Sequence, residues 1–310
     1  MAHRLRPPDA EGPAVRGAPH RPGSVRAVTS ATTPASAVEL PELPADSFYE
    51  HVDGSAYAST PATESPWDPR AQHGGPPSAL LGRSVEASVG DEPMAVGKID
   101  VDFLGPIPQG TCEIEVSVLR PGRRVRQVQA TMSVEGRAVV TARAWLVAYE
   151  EGRAPTSGRP VVPPSLPSPQ PQFRLPGVSA EWGYGRAVEW RFTSGGFGRQ
   201  TPAGEDGRVQ VWGRTRVPLV AGEESTGLQR LLTLADSTNG ISTQLTARDW
   251  IFVPPGMNVT LQRVPAADWM HLDATSHVDP RGTGVAHATV SDDAGLCGYV
   301  SQPLLVAPRG

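Results

Sequence analysis

Alternation of apolar and polar residues marks the clearest elements. From Thr111 to Leu119, Cys112, Ile114, Val116 and Val118 point one way, while Thr111, Glu113, Glu115 and Ser117 point the other. Period two with one polar face predicts a half-buried antiparallel strand. Arg120-Pro121-Gly122-Arg123 has turn chemistry, and a strand over Val125–Val134 follows it. Glu135-Gly136 turns the chain again into Ala138–Val147, which is apolar on both faces and therefore central. The layout recurs later. Trp269–His277, Val285–Val290 and Gly298–Val306 read as strands, separated by turns at Asp279-Pro280-Arg281-Gly282 and Asp292-Asp293-Ala294-Gly295. Pro121 and Pro280 are 159 residues apart, and so are Gly136 and Gly295. Equal offsets at two turns point to one fold used twice. Coincidence between two ordinary meanders is the alternative.

Each meander is preceded by one helical pattern. Pro76-Pro77 opens Ser78–Ala87, and proline suits a first helical turn, where its missing N–H is not needed. In the second half Leu228, Leu231, Leu232 and Ala235 fall at i, i+3, i+4 and i+7, one apolar face of a helix. Both helices carry small or apolar residues on most sides. The expectation is an α+β architecture in which a curved antiparallel sheet wraps a buried helix, twice.

Proline divides the chain. Sixteen of its 33 prolines lie in residues 1–46 and 152–178, which leaves ordinary proline content for the remainder. Residues 1–46, with Arg4, Arg6, Arg16, Arg21 and Arg26 and almost no large apolar side chains, read as a disordered tail. They lack the apolar stretch of a secretory signal and fit a transit peptide only loosely. Residues 151–178 read as an extended, semi-rigid linker. The predicted folded halves are 47–150 and 179–310. A formal charge of −4 and a pI of 6.0 give no electrostatic drive toward nucleic acid. No apolar run reaches the roughly 18 residues of a membrane helix. Two cysteines, Cys112 and Cys297, exclude a disulfide scaffold and suit a reducing, cytoplasmic setting.

Three places could carry chemistry. The second helix ends in Ala235-Asp236-Ser237-Thr238-Asn239-Gly240. Asp236 is either a cap or a desolvated carboxylate, and desolvation raises a carboxyl pKa and makes it a better base. Gln302, in an apolar last strand, needs partners for its amide; it either satisfies nearby backbone or holds a water or a substrate carbonyl. Gln72-His73-Gly74-Gly75-Pro76 precedes the first helix. Two glycines there would let an oxyanion approach bare N–H groups, and a tight turn capped by His73 is the plain alternative. No Gly-x-Ser-x-Gly elbow, phosphate-binding loop or metal-type histidine spacing occurs. Arg120, Arg123, Arg124 and Arg126 suit a solvated turn better than a nucleotide phosphate.

These motifs, taken in order, resemble a family. Gln72-His73-Gly74-Gly75-Pro76-Pro77, Asp102-Phe103-Leu104-Gly105-Pro106 and Leu119-Arg120-Pro121-Gly122-Arg123 look like the first half of acyl-CoA thioesterase II-like proteins. Ala235–Gly240, Ala267-Asp268-Trp269 and Ser301-Gln302 look like the second. The resemblance implies a tandem (double) hotdog fold, a fatty acyl-CoA substrate, no cofactor, and association into homo-oligomers through sheet edges. It also implies a catalytic set of Asp, hydroxyl residue and Gln that activates water against a thioester. Asp236 and Gln302 match. The hydroxyl falls near Phe252-Val253-Pro254, where neither Ser nor Thr stands, so Thr246, or else Thr243, is its expected substitute. His73, Gly74, Gly75 and Asn239 are the expected substrate-binding residues. Two rival readings remain. Asp68 and His73 have the five-residue spacing of hotdog enoyl-CoA hydratases, although Arg70 stands where those have Asn; and a chain without the hydroxyl could be a noncatalytic acyl-CoA-binding module.

Overall fold

A computed structural model describes residues 38–158, 160–172, 175–197 and 207–310. Most of the expected tail, residues 1–37, lies outside the described residues. Residues 38–46 carry no strand or helix, and Arg216 donates to the Pro41 carbonyl at 2.8 Å.

The first half runs β1 (Tyr49–Asp53), β2 (Ala56–Ser59), α1 (Gly75–Ala87), β3 (Met94–Phe103), β4 (Thr111–Arg120), β5 (Val125–Val134) and β6 (Arg137–Ala148). The second runs α2 (Gly183–Ala187), β7 (Val188–Ser194), β8 (Val209–Thr215), α3 (Gly227–Ala235), α4 (Thr238–Ser242), β9 (Trp250–Val253), β10 (Gly256–Leu261), β11 (Met270–Asp279), β12 (Thr283–Asp292) and β13 (Gly295–Pro308). All six predicted meander strands and both predicted helices are present.

The described strands make one antiparallel sheet, joined at its middle by β3 and β10, with Ile99 opposite Val259 and Val101 opposite Met257. From that join the order outward is β3-β6-β5-β4-β2-β1 on one side and β10-β13-β12-β11-β8-β7 on the other. The two orders are the same, and the turns 159 residues apart occupy corresponding places. β3 escaped the sequence reading because its alternation breaks at a bulge between Val96 and Lys98, which shifts the phase of the apolar residues.

The two long helices lie against each other inside the sheet. Gly75 meets Thr233, Gly82 meets Leu232, and Glu86 meets Thr226 and Gln229, so α1 and α3 run antiparallel. Leu80, Leu81, Leu228, Leu231, Leu232 and Leu234 are fully buried between them and the strands. A Cβ on Gly75 would stand 2.1 Å from the Thr233 carbonyl oxygen, which is why the first turn of α1 needs a glycine.

The proline-rich segment is docked rather than free. Gln172 accepts the Trp190 N–H at 2.9 Å and donates to its carbonyl at 3.3 Å; Gln170 does the same for Phe192 at 2.8 and 2.9 Å. Arg191 and Trp212 donate to the carbonyls of Pro167 and Pro164. The outer edge of β7 is thus satisfied by side-chain amides. No helix among the described residues is long and apolar enough to cross a membrane.

Candidate functional site

Asp236 caps α3, where a carboxylate opposes the negative end of its own helix. The adjoining helix reverses that penalty. Because α1 runs antiparallel, its N-terminus abuts the end of α3, and the positive end of its dipole at Gly74 and Gly75 favours the Asp236 carboxylate. The approach demands glycine: a Cβ on Gly74 would stand 2.8 Å from Asp236 Oδ2 and 2.6 Å from Phe103 Cζ. The glycine expected to admit an oxyanion therefore stands against the acid.

Gln302, on β13, fixes the other side of the carboxyl. Its Nε2 donates to Asp236 Oδ1 at 3.1 Å and to the Asp236 carbonyl at 3.3 Å. Its Oε1 accepts the Asn239 N–H at 3.0 Å. Both ends of the amide are committed, so Gln302 orients Asp236. Asn239 in turn donates Nδ2 to the Phe252 carbonyl at 3.1 Å. Burial pushes the Asp236 carboxyl up to about 7; donation from Gly74, Gln302 and Gly75 opposes that rise without cancelling it.

His73 closes the group. Its Nδ1 lies 3.3 Å from Asp236 Oδ2 and accepts the Gly75 N–H at 3.2 Å. Burial lowers its pKa to about 3, so the ring is neutral. With its proton on Nε2 the neutral ring accepts at Nδ1, and beside Oδ2 that favours the carboxylic acid, in line with the raised Asp236 value. The His73 ring stacks on Tyr184 with centroids 3.8 Å apart and planes 8° from parallel. Tyr184 donates to the Thr233 carbonyl at 2.9 Å and lies 2.7 Å from Ser237 Oγ, which anchors the stack to α3. Tyr184 and Ser237 escaped the sequence reading, because nothing in Trp182-Gly183-Tyr184 signals a partner some fifty residues away.

The group opens on a cavity of about 560 Å³. Its walls are largely apolar and aromatic: Trp67, Phe103, Trp182, Trp190, Phe197 and Phe252. Asp236, His73, Gly74, Ser237 and Asn239 line it as well. Asn239 and Phe252 also border a second cavity of about 360 Å³, which Thr243 lines.

Three expectations need correction. Thr246 is not brought to Asp236: its hydroxyl donates to Asp249 at 3.1 Å and accepts the Arg248 N–H at 3.1 Å, which closes a loop before β9, and it lines neither cavity. The Gly75 N–H is given to His73 Nδ1 rather than to an oxyanion, while Gly74 lines the main cavity beside Asp236. Asp68 does not pair with His73; its carboxylate is bound by Arg70 at 2.9 Å on an exposed turn, which leaves the hydratase-like pair unformed. At the position expected for the hydroxyl, Val253 and Pro254 line the main cavity without a side-chain donor.

Comparison with known proteins follows the same division into halves. The acyl-CoA thioesterase N-terminal domain family matches residues 63–147, and the acyl-CoA thioesterase C-terminal domain family matches residues 160–306. A conserved protein of unknown function with a hot dog fold, from Alicyclobacillus acidocaldarius, superposes with a TM-score of 0.62 at 16% identity, covering 84% of this chain and 95% of that one. The tesB protein of Mycobacterium avium subs paratuberculosis gives 0.60 at 18% identity, over 84% and 96%. The acyl-CoA thioesterase II TesB2 of Mycobacterium marinum gives 0.57 at 18% identity, again over 84% and 96%. These likenesses establish a hotdog fold. No curated protein matches the chain.

Proposed function

Since this chain belongs to the acyl-CoA thioesterase family, we propose that it hydrolyses a fatty acyl-CoA to the free acid and CoA, with Asp236 as general base. In this reading residues 47–150 and 179–310 are two hotdogs, each sheet wrapped around its own helix. The observation that carries the proposal is the buried contact between Asp236 and Gln302, 3.1 Å apart at the wall of an apolar cavity.

The chemistry needs little more. A thioester is reactive toward water, and its thiolate leaves readily, so a strong nucleophile is unnecessary. Asp236 takes a proton from water as the water oxygen bonds to the thioester carbon. The C–S bond then breaks, and the same proton passes to the departing thiolate. A carboxyl held at about 7 suits both transfers near neutral pH. Gln302 acts by holding the carboxyl in one orientation. The aromatic walls supply apolar surface for the acyl chain.

A thiol-release assay over acyl-CoAs of increasing length tests the proposal, with Asp236→Asn as control. Release by the parent and its loss in the variant support hydrolysis. The bare position at Val253-Pro254 favours a second reading, a noncatalytic acyl-CoA-binding module; saturable binding without thiol release would establish that instead.

A further inference from the structure

The geometry points to His73 Nε2–H as the donor that stabilises the oxyanion formed when water adds to the thioester. The inference rests on the hydrolytic reading above and supplies a part that reading lacks. Addition of water places negative charge on the carbonyl oxygen, and a preorganised donor there is among the largest rate effects available to an enzyme. Of the obvious donors, the amides at the start of α1, the Gly75 N–H is given to His73 Nδ1 at 3.2 Å, and Gly74 stands against Asp236 Oδ2. The Gln302 amide and the Asn239 side chain are committed as well.

His73 is free to act, for three geometric reasons. First, its Nδ1 accepts the Gly75 N–H at 3.2 Å, and an accepting Nδ1 leaves the ring proton of a neutral imidazole on Nε2. Second, the ring cannot swing away. It lies flat on Tyr184, whose hydroxyl is tied to α3 at Thr233 and Ser237. Third, His73 lines the main cavity, and no described residue bonds Nε2. His73 and Asp236 line the same cavity, so base and donor border one volume.

Neutrality is useful here. A cationic imidazole 3.3 Å from Oδ2 would favour the carboxylate and weaken it as a base. A neutral donor leaves that basicity intact and adds no second acid to compete for the proton.

Two variants and one spectrum test this. His73→Phe keeps a flat ring on Tyr184 and removes the donor; His73→Gln retains an N–H. In thiol release, His73→Phe should lower kcat by about 10²–10³-fold, the usual value of one oxyanion donor, with KM little changed. His73→Gln should recover at least about tenfold of that loss. Independently of turnover and of either variant's folding, ¹⁵N-detected imidazole signals of the parent protein should show the proton on Nε2 across pH 5–9. A kcat for folded His73→Phe within about threefold of an active parent overturns the inference and leaves hydrolysis standing, as does a proton on Nδ1. A parent that releases no thiol from any acyl-CoA overturns both.

Discussion

Replacing Asp236 by Asn should slow turnover and make the protein more stable at alkaline pH. The native carboxyl holds its proton up to about pH 7, whereas the ordinary value is 3.8. Between those limits the native state binds a proton that the unfolded chain has released. Stability from this group is therefore fully present below about pH 4 and declines as pH rises through 7. At about 1.4 kcal/mol per tenfold change, the decline is about 4 kcal/mol. Asparagine does not ionise, so the variant lacks this slope. Its Oδ1 can still accept from Gln302, but its amide nitrogen would face the positive start of α1 at Gly74, a mismatch of about 1–3 kcal/mol. The variant should then be less stable than the parent at pH 4.5 and more stable by about 1–3 kcal/mol at pH 8.5. Urea unfolding at both pH values measures the crossover, while thiol release should fall by about 10²–10⁴-fold. Parallel stability profiles for the two proteins would refute the assignment of a buried, raised carboxyl.

Three further expectations concern the carboxyl, the contact between α1 and α3, and the loop before β9. The kcat/KM profile of the parent should rise with one midpoint near 7 and show no second limb from His73 between pH 5 and 9; Gln302→Leu removes a donor that favours the ionised form, so its midpoint should move to higher pH. Gly75→Ala should destabilise by about 3 kcal/mol or more in urea unfolding, because its Cβ meets a backbone oxygen at 2.1 Å. Gly82→Ala meets only Leu232 Cδ1, at 2.4 Å, and gains about 1 kcal/mol of helix propensity, so its net effect should stay near 1 kcal/mol; equal losses in the two variants would contradict the backbone argument. Thr246→Val should cost up to about 1 kcal/mol of stability through its loop and leave kcat unchanged, and a tenfold fall in kcat would return the residue to the site.

Periodic features were the readable ones. The meander strands and the 159-residue offset could be found because alternation and turn chemistry are local. Asp236 could be singled out because a carboxylate after Leu-Thr-Leu-Ala must be desolvated. Its partners could not, since the contacts to His73 and Gln302 span 163 and 66 residues and depend on how two helices pack. The glycine pair was visible, but its purpose was not. Bare amides at a helix start suit any anion, and only the antiparallel packing of α1 on α3 shows that the anion is a side chain of the same protein. Thr246 was selected by residue type alone, and the loop before β9 uses its hydroxyl locally.

The docking of Gln170 and Gln172 against β7 bears on how copies of this protein can associate. A strand from a second molecule could extend the sheet at β7 only by first displacing two side chains that already saturate Trp190 and Phe192. The proline-rich stretch between the halves thus acts as a stopper against strand addition at that border.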